Sequence, residues 1–289
     1  MPPFVLAILS SVLYGAADFL GGLGSRRAPV VTVTALSQAA GLVVLLVAAP
    51  FVPGATRVAD LVWATGAGLS GGAGVLLLYR ALATGIVSTA APLISMIALT
   101  VPVAVGLVSG ERPGALPLLG VGTGVGAVLL IAGGGEPHAG DSPASPRPAR
   151  RTSQRSLAPA YASGLLIGGF LVCLGRIAPG ASLWPLVAAR AVGTLGLVAT
   201  GIVWRVSFRP PAPAVGPIIG AGSADVVANL LYVFAVQRAP LSLIATLVSL
   251  APASTVLLAQ LVLRERLSGG QRAGVALALV AVVLLAQAR

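Results

Sequence analysis

Ten stretches of roughly twenty mostly apolar residues follow one another along this chain, most of them separated by only a few residues. They cover residues 3–24, 30–52, 61–83, 86–109, 115–135, 157–177, 182–204, 215–237, 240–263 and 269–288. A helix crossing a membrane needs about 20 residues, because the hydrocarbon core is ~30 Å thick and each residue adds about 1.5 Å. Lipid offers the backbone no hydrogen bonds, so each crossing must satisfy its own as a helix. Short gaps make sequential helices antiparallel neighbours. The composition agrees: 57% of residues are hydrophobic and 9% charged, and the mean hydropathy is +1.00. A soluble domain carries roughly 25% charged residues. Glycines number 37 and sit inside apolar runs, where small residues let helices approach closely in lipid.

The charged punctuation between the runs is duplicated. "VSGERPG" at 108–114 returns as "VLRERLSG" at 262–269, so Glu111–Arg112 matches Glu265–Arg266 at an offset of 154 (265 minus 111). The same offset places Gly15 on Gly169, Ser88 on Ser242 and Gly120 on Gly274; with one residue of slack, Tyr79 falls on Tyr232. Between the copies, residues 136–156 are rich in Pro, Ser and Arg without apolar periodicity, which reads as a flexible, solvated linker. The expected organisation is a repeat over 3–135, the linker over 136–156 and a second repeat over 157–288. Each unit has an odd number of crossings, so the second enters from the opposite face. The expected fold is an all-α integral membrane protein of ten transmembrane helices arranged as two inverted five-helix repeats, a layout that places substrate sites at the repeat interface.

The duplicated Glu-Arg motif, the glycine-rich helix after it and "LSSVLYGAADFLGG" in the first run resemble the drug/metabolite transporter superfamily, EamA type. The resemblance spans nearly the whole chain outside the linker. It implies a multi-pass permease of the cell membrane that carries small molecules, often exporting amino acids, metabolites or drugs, and it names no single substrate.

All 18 basic residues are arginine, against seven acids, giving a net charge of +11. The arginines punctuate gaps instead of forming a stripe on a polar surface, so anionic lipid headgroups are the expected counter-charge and nucleic acid is not an expected partner. Arg26, Arg27, Arg80, Arg147, Arg150, Arg151, Arg155, Arg205, Arg209, Arg264, Arg266 and Arg272 follow odd-numbered runs; Arg57, Arg112, Arg176, Arg238 and Arg289 lie on the other side. The positive-inside rule then puts the linker in the cytoplasm and both termini outside, opposite to the way relatives are commonly drawn.

Ionisable groups inside the runs are costly in lipid and mark function. Asp225 is central in the eighth run, with Asn229 and Tyr232 at i+4 and i+7 on one face. Asp18 lies nearer the end of the first run, with Tyr14 at i−4. Arg190 is too deep in the seventh run to snorkel and can pair with Asp225 or grip a substrate carboxylate. The repeat equivalents of Asp18 and Asp225 are Val172 and Gly72, so the shared scaffold demands neither acid. Tyr14, Asp18, Tyr79, Arg190, Asp225, Asn229 and Tyr232 are the expected substrate-binding residues, and Asp225 the expected proton carrier. Trp184 and the pair Ser88/Ser242 are further cavity-lining expectations. "GLSGGAG" at 68–74 and "GVGTGVGA" at 120–127 read as helix-packing faces, since neither follows a strand. Pro92, Pro102 and Pro252 are expected to kink the fourth and ninth helices and free carbonyls toward the cavity.

The leading expectation is a secondary transporter working by alternating access, as a monomer or homodimer. A membrane-embedded enzyme is the rival class, and a lipid scramblase or non-transporting partner the third. No helix carries a histidine, Cys173 is the lone cysteine, and no metal or cofactor is expected. Single cysteines at positions 112 and 266, in a background with Cys173 replaced by Ala, should react with an impermeant thiol reagent from opposite faces of the bilayer. Labelling from one face would rule out inversion.

Overall fold

A computed structural model describes residues 1–83, 87–133, 154–264 and 267–287, and their side chains apart from those of 79–83, 87–92 and 154–157. The described residues contain eleven α-helices and no strand. The first repeat comprises α1 (Pro3–Ser25), α2 (Val30–Ala48), α3 (Val58–Ala83), α4 (Val87–Val108) and α5 (Ala115–Gly133); a 3-10 turn, Ala49–Phe51, extends α2. The second comprises α6 (Gln154–Gly175), α7 (Trp184–Val203), α8 (Ala212–Val236), α9 (Leu241–Val248), α10 (Ala251–Leu263) and α11 (Gly269–Ala286). Helices α9 and α10 together make the ninth crossing, so ten apolar crossings stand in the order that the sequence implies. Residues 136–153 of the expected linker, and Glu265 and Arg266, lie outside the described residues.

Proline acts differently in the two repeats. Helix α4 runs unbroken through Pro102. The ninth crossing is divided at Ser249 and Leu250, just ahead of Pro252, whose ring nitrogen cannot bond to the preceding turn. The expectation that the freed backbone faces the cavity is not met. None of residues 248–252 lines the central cavities, and the crossing meets α1 where Thr255 Oγ1 lies 3.1 Å from the Gly15 carbonyl.

Packing maps onto itself when the two halves are exchanged. Helix α1 lies along α8 as α6 lies along α3, α2 on α8 as α7 on α3, and α1 on the α9–α10 crossing as α6 on α4. The pairs α2–α7 and α5–α11 sit across the pseudo-two-fold axis. Helices α1 and α8 run antiparallel, since Ser10 reaches Ala228, Tyr14 reaches Asn229 and Arg27 reaches Pro213. Large apolar side chains such as Val43, Leu69, Leu195 and Leu279 are exposed on the outside, the surface that lipid covers.

Close approach depends on small residues, as the two glycine-rich stretches imply. Gly68 of α3 faces the Ala189 carbonyl of α7, and Gly124 of α5 faces Thr246 of α9. The tightest crossing is α2 on α8, where a methyl on Gly222 would stand 2.0 Å from the Ser37 carbonyl oxygen. Gly222→Ala should therefore lower the melting temperature in detergent, by roughly 1–3 kcal/mol of overpacking. Gly216→Ala in the same helix meets nothing within 4 Å and should leave it level or raise it. Equal melting of the two variants would remove the crossing as a constraint.

Candidate functional site

Four helices deliver a continuous polar chain to the centre of the bundle. Arg190 of α7 donates one guanidinium nitrogen to Gln38 Oε1 of α2 and the other to Asp225 Oδ2 of α8. Asn229, one turn along α8, donates Nδ2 to the Asp225 carbonyl at 2.7 Å and to Asp225 Oδ2 at 3.1 Å. Tyr14 of α1 completes the chain, donating its hydroxyl to Asn229 Oδ1 at 2.7 Å. The Arg190 backbone carbonyl accepts from Thr194 Oγ1. The sequence expectation that Arg190 can pair with Asp225 is therefore realised, and the guanidinium is spoken for on both arms.

This chain borders a hollow between the repeats. Two adjoining cavities, of about 330 and 350 Å³, share Asp18, Gln38, Val75, Leu78, Arg190 and Asp225. The walls come from α1, α2 and α3 of the first repeat and α6, α7 and α8 of the second. The charged groups are contributed by α1, α7 and α8. Helix α3 presents Gly68, Gly71 and Gly72 instead, with Gly72 facing Gly193. Where α8 carries Asp225, its repeat counterpart thus carries only hydrogen, and that missing bulk helps to make the hollow.

The hollow is open at one end of the bundle and shut at the other. Toward the α1–α2 connection its lining reaches Ser25 and Val30. At the opposite end, loops of the two repeats are tied together. Thr56 Oγ1 and Ser182 Oγ lie 2.6 Å apart, Asp60 accepts from the Ala178 backbone at 2.8 Å, and Arg176 donates to Ser109 Oγ at 2.9 Å. Glu111 accepts from the backbone N–H groups of Leu241 (2.6 Å) and Ser242 (3.0 Å), capping the exposed donors of the first turn of α9.

Of the expected site residues, Asp18, Arg190, Asp225 and Asn229 border the hollow, and Tyr14 supports it through Asn229. Tyr232 is placed elsewhere: fully buried, it donates its hydroxyl to the Leu171 carbonyl at 2.8 Å and braces α8 against α6. The i+7 spacing of two helical turns that puts it on the Asp225 face is too coarse, because the neighbour at that height is α6 and not the hollow. The Tyr79 and Ser88 side chains lie outside the described residues. Ser242 is sealed in the first turn of α9 and Trp184 is exposed at the start of α7; neither lines the hollow. Two participants were missed. Gln38 is the only amide in the apolar run of α2, a signal open to reading. Asp60 stands one residue ahead of the apolar run 61–83 but lies buried in the first turn of α3, where its carboxylate accepts from the Arg57 backbone as well as from Ala178.

A helical bundle in two exchangeable halves, with lipid-facing apolar walls and a charged hollow between them, defines a multi-pass membrane protein of permease type. The sequence pattern of the EamA-like transporter family matches residues 1–133 and again 157–287, and the chain belongs to that family. Curated proteins gave no match. Among solved structures, one described only as "Crystal structure of protein" superposes with a TM-score of 0.77 at 18% identity, covering 98% of this chain and 95% of that one, a likeness of fold.

The Arg190–Asp225 pair is testable as a unit. The Arg190 side chain is only 9% exposed, and that of Asp225 31%. Asp225→Ala strands the guanidinium and should cost up to roughly 3–5 kcal/mol, the upper figure being reduced by the exposure of Asp225. The double variant Arg190→Met/Asp225→Leu should recover most of that loss, read as melting temperature in detergent. A double variant no more stable than Asp225→Ala would show that the pair is not what holds Arg190 there.

Proposed function

We propose that the protein is a secondary transporter of small solutes in the cell membrane, a carrier for metabolites, amino-acid-like or drug-like molecules that works by alternating access. The observation that carries this reading is the hollow walled by both repeats, open at one end and tied shut at the other. Rocking one repeat against the other would break the ties at the shut end and close the open one, with the Arg190–Asp225–Asn229 chain as the fixed point between them. The open end is the face where most arginines gather; by the positive-inside rule that face is cytoplasmic, and a hollow that loads from there suits export.

Protons are the proposed coupling ion. Asp225, the residue expected for that task, is engaged by Arg190 and Asn229. Asp18 is exposed to the hollow and makes no ion pair or hydrogen bond through its side chain with any other described residue, which leaves it open to a proton that enters there. The proton-binding role is accordingly assigned to Asp18, with Asp225 holding the shape of the site.

A panel of amino acids, metabolites and drug-like solutes, scored by thermal stabilisation of the purified protein, selects a solute for counterflow in proteoliposomes. A disulfide between cysteines placed at Thr56 and Ser182, with Cys173 replaced by Ala, should then halt counterflow, and reduction should restore it. Undiminished exchange by the cross-linked protein would reject alternation through that end, and lipid flipping without solute exchange would point to a scramblase.

A further inference from the structure

The seam between α1 and α10 is not fastened as its counterpart in the other repeat is. Where α6 meets α4, Arg176 donates to Ser109 Oγ at 2.9 Å. At the repeat offset of 154 those positions are Gly22 and Leu263, and both line a chamber of about 460 Å³ instead. Its mouth lies at the helix ends, with Ser25 and Arg26 at the end of α1, Leu263 the last residue of α10 and Gln271 in the first turn of α11. Its floor is Asp18 and Thr255, each eight residues deeper (26 minus 18 and 263 minus 255). Eight residues of helix span ~12 Å. Between mouth and floor the walls are Phe19, Leu23, Val256 and Ala259. Leu257 and Leu261, beside them on α10, belong to the exposed apolar surface that lipid covers. An apolar space of this kind does not hold ordered water, and next to a bilayer an acyl chain is at hand to fill it.

Charge is divided along the depth of the chamber. The two stretches at its mouth, residues 25–27 and 264–272, hold five arginines against the single acid Glu265. Arg26 lines the chamber, and Arg264 and Arg272 directly follow the lining residues Leu263 and Gln271; all three arginines are exposed. Arg26 also takes part in an interaction within the protein. A guanidinium carries five N–H donors, enough for that contact and an anion together. The side-chain oxygen of Gln271 accepts from the Ser268 backbone at 3.0 Å, which leaves its amide nitrogen to donate at the mouth. Asp18 at the floor repels an anion, so a negative group is held at the membrane surface and only an apolar chain descends. By the positive-inside rule this end faces the cytoplasm, the leaflet that carries anionic lipid.

We propose that this seam is a binding site for one anionic phospholipid. Arg26 and Gln271 hold the phosphate, Arg264 and Arg272 add to the positive field around it, and one acyl chain lies between α1 and α10. The lipid takes the place of the contact that fastens α6 to α4 in the other repeat. The site stands whether or not the hollow beside it belongs to a carrier.

The test uses the full-length protein in phosphatidylcholine vesicles that contain a trace of phosphatidylglycerol with a photoactivatable diazirine in one acyl chain. After illumination the label should concentrate on peptides covering residues 19–26 of α1 and 255–263 of α10. Unlabelled phosphatidylglycerol should displace it, and phosphatidylcholine of the same chains should not. Arg26→Gln should weaken that displacement about fivefold, the scale of one basic side chain near an anionic surface. Val256→Trp fills the chamber without touching its charge and should abolish labelling at the seam, whereas Leu257→Trp on the lipid-facing side of the same helix should leave it in place. Ala259→Leu is the milder filling variant should Val256→Trp fail to fold. Label spread evenly over the outer surface, equal displacement by phosphatidylcholine, or labelling unchanged by both filling variants overturns the proposal. Displacement by glycerol 1-phosphate as strong as by phosphatidylglycerol also overturns it, since the arginines would then serve a soluble anion.

Discussion

A guanidinium placed among apolar helices has to be neutralised where it stands, and much of the central architecture follows from how Arg190 meets that demand. Its two arms reach a carboxylate on α8 and an amide on α2, and the chain continues through Asn229 to Tyr14 on α1. Helices from both repeats are thereby tied at one level of the bundle. Lipid supplies no competing hydrogen bonds, so this chain holds the four helices in register more firmly than the same contacts would in water. It also leaves a hollow, because the polar side chains that bond to one another cannot simultaneously fill the space beside them.

That hollow exists through asymmetry between two copies of one unit. The packing of helices repeats when the halves are exchanged, down to α1 on α8 and α6 on α3. The chemistry does not repeat. Val172 and Gly72 stand where the other copy has Asp18 and Asp225, and α3 turns glycines toward the space into which α7 and α8 project charge. The scaffold is what duplication preserved. The site is where the copies diverged.

The first copy of the Glu-Arg motif belongs to the scaffold, and the role of its Glu111 is physical. At the end of α4, Glu111 crosses to the other repeat and accepts from two backbone donors at the start of α9. A helix that begins with Pro240 at its cap has no side chain of its own to satisfy those groups. Together with Asp60 bonded to the Ala178 backbone, this capping makes the shut end of the bundle a set of ties from carboxylate to backbone between the repeats. Such ties can be exchanged for water when the end opens, at far less cost than separating packed apolar surface. A gate of that kind suits the alternation proposed above.

Most of the architecture was legible in the sequence, since the length of an apolar run and the thickness of a bilayer leave few options. The ten crossings, the duplication and the two acids within helices follow from one-dimensional periodicity and composition alone. The pairing of Arg190 with Asp225 could be named as one of two possibilities because both are charges that lipid forbids to stand alone. Tertiary structure decided what depends on which helix stands opposite: that Tyr232 meets α6 while Asn229 meets α1, that Gln38 closes the circuit, that Asp60 is buried in a helix, and that Asp18 borders the hollow without a partner among the described residues. Helical spacing fixes a side chain's direction around its own axis, but its neighbour is set by packing between residues far apart in the chain, and only the folded bundle determines that.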